Sequence, residues 1–260
     1  MIERRICPVR GREVLLDTSR VRLPRAWPTP EQQPPEWAGQ QPITTIGPVQ
    51  VHANGRPLLI LEASDPSGGL GANEVLFHAD ASWAQVLRAV NSRVHSLRRD
   101  ARLRHFVWAC DLGSARSEQP HSLLLASPSP LPATRELQLR VLPEQVRHAR
   151  SEGRVLWEGE GACVLLPHAP LTPFECWVLH IDGTAPAGED TGSLGQALAR
   201  CVALLGGALA APLALSLAVR DDGWLLVVQP RLHPPTAMEL ATGIAMHGVP
   251  SERAASVLRA

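Results

Sequence analysis

The sequence contains no lysine and no tyrosine. The first absence excludes Schiff-base chemistry and a phosphate-loop lysine, and the second a tyrosine general acid. An excess of either charge is missing too: 25 basic residues, every one arginine, balance 25 acidic ones, so nucleic acid is not an expected partner. Cysteine is sparse. Cys7, Cys110, Cys163, Cys176 and Cys201 are odd in number, scattered, and never in a Cys-x-x-Cys pair, which reads as reduced, mostly buried thiols of a cytoplasmic protein. The opening Met1-Ile2-Glu3-Arg4-Arg5 lacks the apolar core of a signal peptide, so export is not expected. The one long uncharged run, residues 201–219, nearly has the length of a membrane span. Gly206-Gly207 and Pro212 are expected to break it into a helix ending near Leu205, a turn and a strand over 213–219, so no membrane partner is expected.

What is present reads as an ordinary folded chain of 260 residues, long enough for one large domain or two small ones. A short strand is expected within 11–16. The stretch 24–48 is rich in proline and glutamine and reads as an extended arm that could strap a dimer. Strands follow at 49–52 and 58–61, separated by the turn Ala53-Asn54-Gly55-Arg56. The glycine cluster at 67–73 fails the dinucleotide spacing and no Gly-Lys-Ser/Thr follows, so it reads as a loop before a strand at 74–78. Ser82 is placed to cap a helix running to about Arg99, with Val86, Leu87, Val90, Val94 and Leu97 on one face. A strand at 103–110 and a loop at 111–119 lead to a strand at 123–126.

Beyond a proline-rich connector at 127–132, a helix is expected around 135–151, interrupted near Pro143. Strands at 154–158, 162–166 and 174–180, a helix at 193–205 and strands at 213–219 and 224–229 come next. A loop at 230–235 and a helix at 251–259 complete the pattern. The order strand, strand, helix, strand, strand therefore occurs twice, which predicts two similar α+β halves sharing a sheet.

The stretch most suggestive of chemistry is the small polar loop Gly113-Ser114-Ala115-Arg116-Ser117-Glu118-Gln119-Pro120-His121-Ser122-Leu123. It places a histidine behind a proline where a loop enters an apolar strand. Imidazole there suits a nucleophile or a phosphate contact.

Several pieces of the chain, in order, resemble the galactose-1-phosphate uridylyltransferase family of the histidine-triad superfamily. They are Arg4-Arg5-Ile6-Cys7-Pro8-Val9-Arg10-Gly11, Asn54-Gly55-Arg56-Pro57-Leu58-Leu59, Gly71-Ala72-Asn73-Glu74-Val75, the Gly113 to Leu123 stretch, Pro173-Phe174-Glu175-Cys176-Trp177, Pro230-Arg231-Leu232, and Glu239-Leu240-Ala241-Thr242-Gly243-Ile244 with Pro250-Ser251-Glu252. The resemblance implies an α+β fold of two histidine-triad-like halves, 1–132 and 133–260, with a mostly antiparallel sheet and flanking helices.

It also implies a two-step transfer of a nucleoside monophosphate between a nucleotide sugar and a hexose 1-phosphate, through covalent nucleotidyl-His121. Asn54 falls where the family contacts the nucleotide, Glu239 where it binds sugar hydroxyls, and Ser122 where a hydroxyl can reach a phosphate oxygen. Asp111, Gly113, Ser114 and Gln119 line the same motif. No cofactor is implied, and relatives are commonly dimers.

The departures cluster at this chemistry. Gln119 replaces a histidine that is a zinc ligand in many members, the family's cysteine pair is missing from 24–48, and Gly223-Trp224-Leu225 replaces a second metal motif, so no metal is expected. Leu123 stands where the family has a glutamine that holds phosphate oxygens, a loss of about 3–4 kcal/mol of transition-state stabilisation. Asp111 stands where the family has a phosphate-binding asparagine, and a carboxylate there would repel a phosphate. Countercharge must come from arginine, with Arg56 and Arg116 nearest in sequence. Two alternatives stay open: a catalytically silent nucleotide- or sugar-phosphate-binding relative, and a hydrolase or phosphorylase of a nucleotide conjugate.

Overall fold

A computed structural model describes residues 2–10, 13–17, 41–53, 72–78, 80–113, 121–128, 131, 137–186, 190–220 and 223–260. Its main feature is a ten-stranded sheet. The first five strands are β3 (Thr44–Ile46), β4 (Val49–Ala53), β5 (Ala72–Phe77), β6 (His105–Leu112) and β7 (His121–Ser127). The second five are β8 (Val155–Gly159), β9 (Ala162–Leu165), β10 (Cys176–His180), β11 (Leu213–Arg220) and β12 (Gly223–Pro230). Their order across the sheet is β3-β4-β5-β7-β6-β11-β12-β10-β9-β8. The two groups have the same connectivity, related across the β6–β11 seam, and every neighbouring pair in this sheet is antiparallel.

Each group carries one long helix on the same face. In the first, α1 (Trp83–Leu97) starts at a capping box: Ser82 Oγ accepts from Gln85 N, and Gln85 Oε1 accepts from Ser82 N at 2.8 Å. Val86, Leu87, Val90 and Val94 recur at helical spacing and are buried against Leu76, Trp108 and Leu124 of the sheet. In the second group, α2 (Leu142–Ser151) precedes β8, and α3 (Gly192–Ala208) covers β9 and β10. The helices α1 and α3 touch directly. Thr191 Oγ1 donates to Ala84 O at 2.8 Å, and Gly195 lies so near Ala84 that a methyl group added to it would sit 2.4 Å from the Ala84 nitrogen.

A second, three-stranded sheet joins β1 (Ile2–Ile6) and β2 (Glu13–Asp17) to β13 (Ala245–His247), flanked by α4 (Ala237–Thr242) and α5 (Ser251–Leu258). Ion pairs tie this end of the chain down. Arg5 contacts Glu252 at 3.2 Å, and Arg10 Nη1 donates to Glu175 at 2.8 Å.

Several expectations need correcting. Gly206-Gly207 do not end their helix, because α3 continues to Ala208 with Leu209 N donating to Leu205 O; two exposed glycines in a last turn weaken a helix without breaking it. Pro143 does not interrupt α2 but lies in its first turn, where its missing N–H costs nothing, after a short 3-10 turn over Leu139–Val141. The strand expected at 103–110 runs on to Leu112, so Asp111 belongs to β6 and not to the following loop. Strand β7 likewise begins at His121 itself. No helix among the described residues is long and apolar enough to cross a membrane. The turn at 54–57, the apolar run at 58–61 and most of the proline-rich arm lie outside the described residues.

Candidate functional site

Strand alternation assigns faces. Phe106, Trp108 and Cys110 of β6 and Leu124 and Ala126 of β7 point into the helix-covered core. The residues between them therefore point to the opposite face. Cys110 pairs with Ser122, so one step further along the same ladder Asp111 stands across from His121. Asp111 pairs with Ala214 of β11, and Ala214 pairs with Gln229 of β12. His121, Asp111, Ala214 and Gln229 thus form one row across the sheet, and the half-buried His121 opens it.

Three strand ends meet at this row. Gly113, just past β6, has φ +70°, and a methyl group added to it would lie 3.6 Å from Pro212 Cα. Pro212 precedes β11, and its carbonyl accepts from Arg231 N at 2.7 Å. That bond fixes the residue following β12. The Arg231 Nη2 atom lies 2.7 Å from Asp111 Oδ1, with both side chains well exposed, at 47% and 38%. The carboxylate expected to repel a phosphate is therefore matched by a guanidinium from the other half of the sheet.

Beneath His121 is a buried polar group. Cys110 Sγ donates to the His121 carbonyl at 3.6 Å and lies 3.9 Å from His78 Nε2. Burial and the nearby Asp111 push the Cys110 thiol up to about 12, so it stays protonated at neutral pH and is a donor, not a nucleophile. Burial pushes His78 below the ordinary histidine value, and proximity to His121 adds to this. The His78 ring also packs at 6.0 Å from Trp83, at the start of α1.

Of the other residues singled out in the sequence, Ser122 requires correction. It is 1% exposed on the helix side of β7, opposite to His121, and its Oγ has no hydrogen-bond partner among the described residues. Leu123 shares the face of His121 and is 37% exposed. Glu239 caps α4: its carboxylate accepts from Thr236 N at 2.7 Å and from Met246 N at 2.9 Å. Partial burial raises its pKa, but these backbone donors outweigh that and hold it below the usual carboxylate value. Asn54, Ser114 and Gln119 lie outside the described residues, as do Arg56 and Arg116.

A groove of about 210 Å³ lies on the face of His121, over β6, β11 and β12. Val107, Ala218, Leu225 and Val227 make its apolar floor, and Arg10 and Gln229 its polar end. Behind that end Glu175 is fully buried and accepts from Arg10, Trp177 Nε1 at 2.8 Å, Gln229 Nε2 at 2.9 Å and Leu171 N at 3.0 Å. Four donors satisfy a buried carboxylate, so Glu175 reads as a structural anchor.

Among the described residues one cluster has metal-ligand composition: Glu152, His168 and Glu252, with donor atoms within 4.8 Å of one another. Two guanidiniums already neutralise its carboxylates, Arg154 on Glu152 at 2.6 Å and Arg5 on Glu252 at 3.2 Å. Burial and those two arginines also push the His168 pKa down. The donor set fits an ion-pair network better than a cation site.

Arg231, His78 and Arg10 were not singled out by their chemistry in the sequence. The Pro-Arg-Leu motif contained Arg231, but only the strand register brings it to Asp111.

This is a fold of two antiparallel five-strand units fused into one sheet, and it is the fold of galactose-1-phosphate-uridylyltransferase-like proteins. A GalT-like protein from Arabidopsis thaliana superposes with a TM-score of 0.80 at 18% identity, covering 100% of this chain and 98% of that one. An ADP-glucose phosphorylase from Arabidopsis thaliana, solved with ADP-glucose bound, gives 0.81 at 19% identity, with the same coverage. A uridylyltransferase gives 0.64 at 15% identity, again covering 100% and 98%. No protein-family model and no curated protein matches the sequence.

Proposed function

We propose that this chain is a nucleotidyltransferase that moves a nucleoside monophosphate from a nucleotide sugar to a hexose 1-phosphate. In the first step a ring nitrogen of His121 attacks the α-phosphorus; an N–P bond forms, the P–O bond to the sugar phosphate breaks, and the sugar phosphate leaves. In the second step an incoming phosphate oxygen attacks the same phosphorus, and the N–P bond breaks to restore the imidazole. The observation that carries the reading is the row His121–Asp111, with Arg231 held beside it, on the sheet face opposite α1 and α3.

The other assignments are part of the same proposal. Asp111 and Gly113 shape the edge of the site, Asn54, Ser114 and Gln119 belong to its nucleotide and phosphate contacts by resemblance, and Glu239 supports the sugar side through α4. The repeated strand order supports two histidine-triad-like halves, 1–132 and 133–260. Five buried free thiols favour a reducing, cytoplasmic setting, and a homodimer is the assembly that the resemblance implies.

The test is covalent labelling. Incubation with radiolabelled UDP-glucose or ADP-glucose is expected to leave an acid-labile, base-stable label that His121→Ala does not acquire; absence of label on the unaltered protein sinks the transfer. A second reading, phosphorolysis with inorganic phosphate as acceptor, is favoured by the likeness to an ADP-glucose phosphorylase. Chromatography of products formed with phosphate against hexose 1-phosphate separates the two. An exposed leucine on the face of His121 favours a third, silent reading, for which thermal stabilisation by nucleotide without product is the mark.

A further inference from the structure

We infer that Arg231 is the phosphate-binding cation of this site and that Asp111 is the residue that positions it, an inference that rests on the proposed function. The chain has no lysine, so arginine is the side chain that can offer an anion on this face a permanent positive charge. Arg231 is fixed at its backbone by Pro212 O at 2.7 Å and at one guanidinium nitrogen by Asp111 Oδ1 at 2.7 Å. Asp111 is its ion-pair partner among the described residues, and the side chain is 47% exposed. A guanidinium carries five N–H donors in a planar fork. One contact to a carboxylate leaves most of them for a second anion, and the fork suits two oxygens of a phosphate.

Position supports the same conclusion. Asp111 stands across the ladder from His121, so the guanidinium it holds belongs to the end of the sheet where the imidazole opens. The pair spans the seam: Asp111 comes from β6 and Arg231 follows β12. A carboxylate at this position would repel a phosphate if it stood alone. With Arg231 attached, the two charges cancel, and an arriving anion competes with Asp111 for a cation already in place. The asparagine-to-aspartate departure seen in the sequence and the arginine after β12 are thus two parts of one device.

Calorimetric titration of the full chain with UDP-glucose, ADP-glucose and inorganic pyrophosphate tests this without requiring turnover. Arg231→Gln is expected to weaken the binding of each ligand at least tenfold, whereas Asp111→Asn, which keeps an oxygen acceptor for the guanidinium but loses the charge that holds it, is expected to weaken binding by less than Arg231→Gln. Arg231→Lys, keeping the charge without the fork, is expected to fall between the unaltered protein and Arg231→Gln. Circular dichroism of each variant separates lost binding from lost folding. Equal weakening by Arg231→Gln and Asp111→Asn would show that the pair is only structural and would overturn the inference. So would unaltered binding in Arg231→Gln, or no binding of any of the three ligands by the unaltered protein at millimolar concentration. Binding that depends on Arg231 without a label on His121 refutes the transfer alone; a label unaffected by Arg231→Gln refutes this inference alone.

Discussion

Arg10 and Glu175 form a buried ion pair of 2.8 Å, and the arginine also stacks 5.5 Å from the centre of the Trp177 ring. The pair joins the segment after β1 to the start of β10. Removing one partner leaves the other charge buried and unmatched, which costs about 3–5 kcal/mol, more than a surface pair could. Arg10→Met is therefore expected to lower the urea unfolding free energy by about that amount. A loss under about 1 kcal/mol, the range of surface pairs, would mean that the three other donors to Glu175 suffice.

Gly195→Ala is expected to destabilise, against the usual trend. Within a helix that change ordinarily gains about 1 kcal/mol. Here the new methyl would meet Ala84 N at 2.4 Å and Ala84 Cα at 2.5 Å, both backbone atoms that cannot rotate away. Overpacking of this kind costs about 1–3 kcal/mol, so repulsion wins. The melting temperature of the variant checks the sign.

Stability is expected to fall as the pH drops below the ordinary histidine value of 6.5. His247 Nε2 donates to Pro170 O at 2.9 Å, while its Nδ1 is buried without a partner among the described residues, so a second ring proton would find no acceptor among them. Burial pushes its folded pKa down despite that bond, and burial does the same at His78. Between the folded and unfolded values the unfolded chain binds more protons, so the contribution is present above 6.5 and is lost as pH falls through the folded values. Urea midpoints at several pH values should show this slope, and His247→Gln should flatten it. An identical slope in both proteins would remove His247 from the account.

All five cysteines are free and buried. Burial pushes the Cys163 thiol to about 12, like Cys110, and raises Cys7; hydrogen bonding to Cys201, then burial, raises Cys176. Ellman's reagent at mildly alkaline pH is expected to find no fast thiol in the native protein and five after denaturation. A fast-reacting thiol in the native state would contradict the packing around at least one of them.

The elements that carry their own signals were legible from the sequence. Helix α1 was readable because Ser82 caps it and its apolar residues recur at helical spacing. The twofold repeat was readable because each unit has its own alternation, although three strands and not two precede the long helix in each unit. Strand β3 was hidden, being three residues long and inside a proline-rich stretch. The helix α4 buries none of its residues and so has no periodic face, yet Thr236-Ala237-Met238-Glu239 is a capping-box signature that could have marked it.

The site was legible only in part for the same reason. His121 sits in a local motif, whereas the partner that Arg231 makes is fixed by register across three strands. Starting β7 at 123 instead of 121 also concealed that Ser122 and His121 face opposite ways.

The seam between β6 and β11 is a backbone ladder running from the Phe106–Val219 pair to the Leu112–Leu213 pair. Were the two groups of strands separate chains, each would present an eight-residue edge with unpaired N–H and C=O groups, a template for indiscriminate pairing. Covalent linkage keeps each edge at a high effective concentration of its proper mate. The connector between β7 and β8 thus keeps both edges of the seam within one chain.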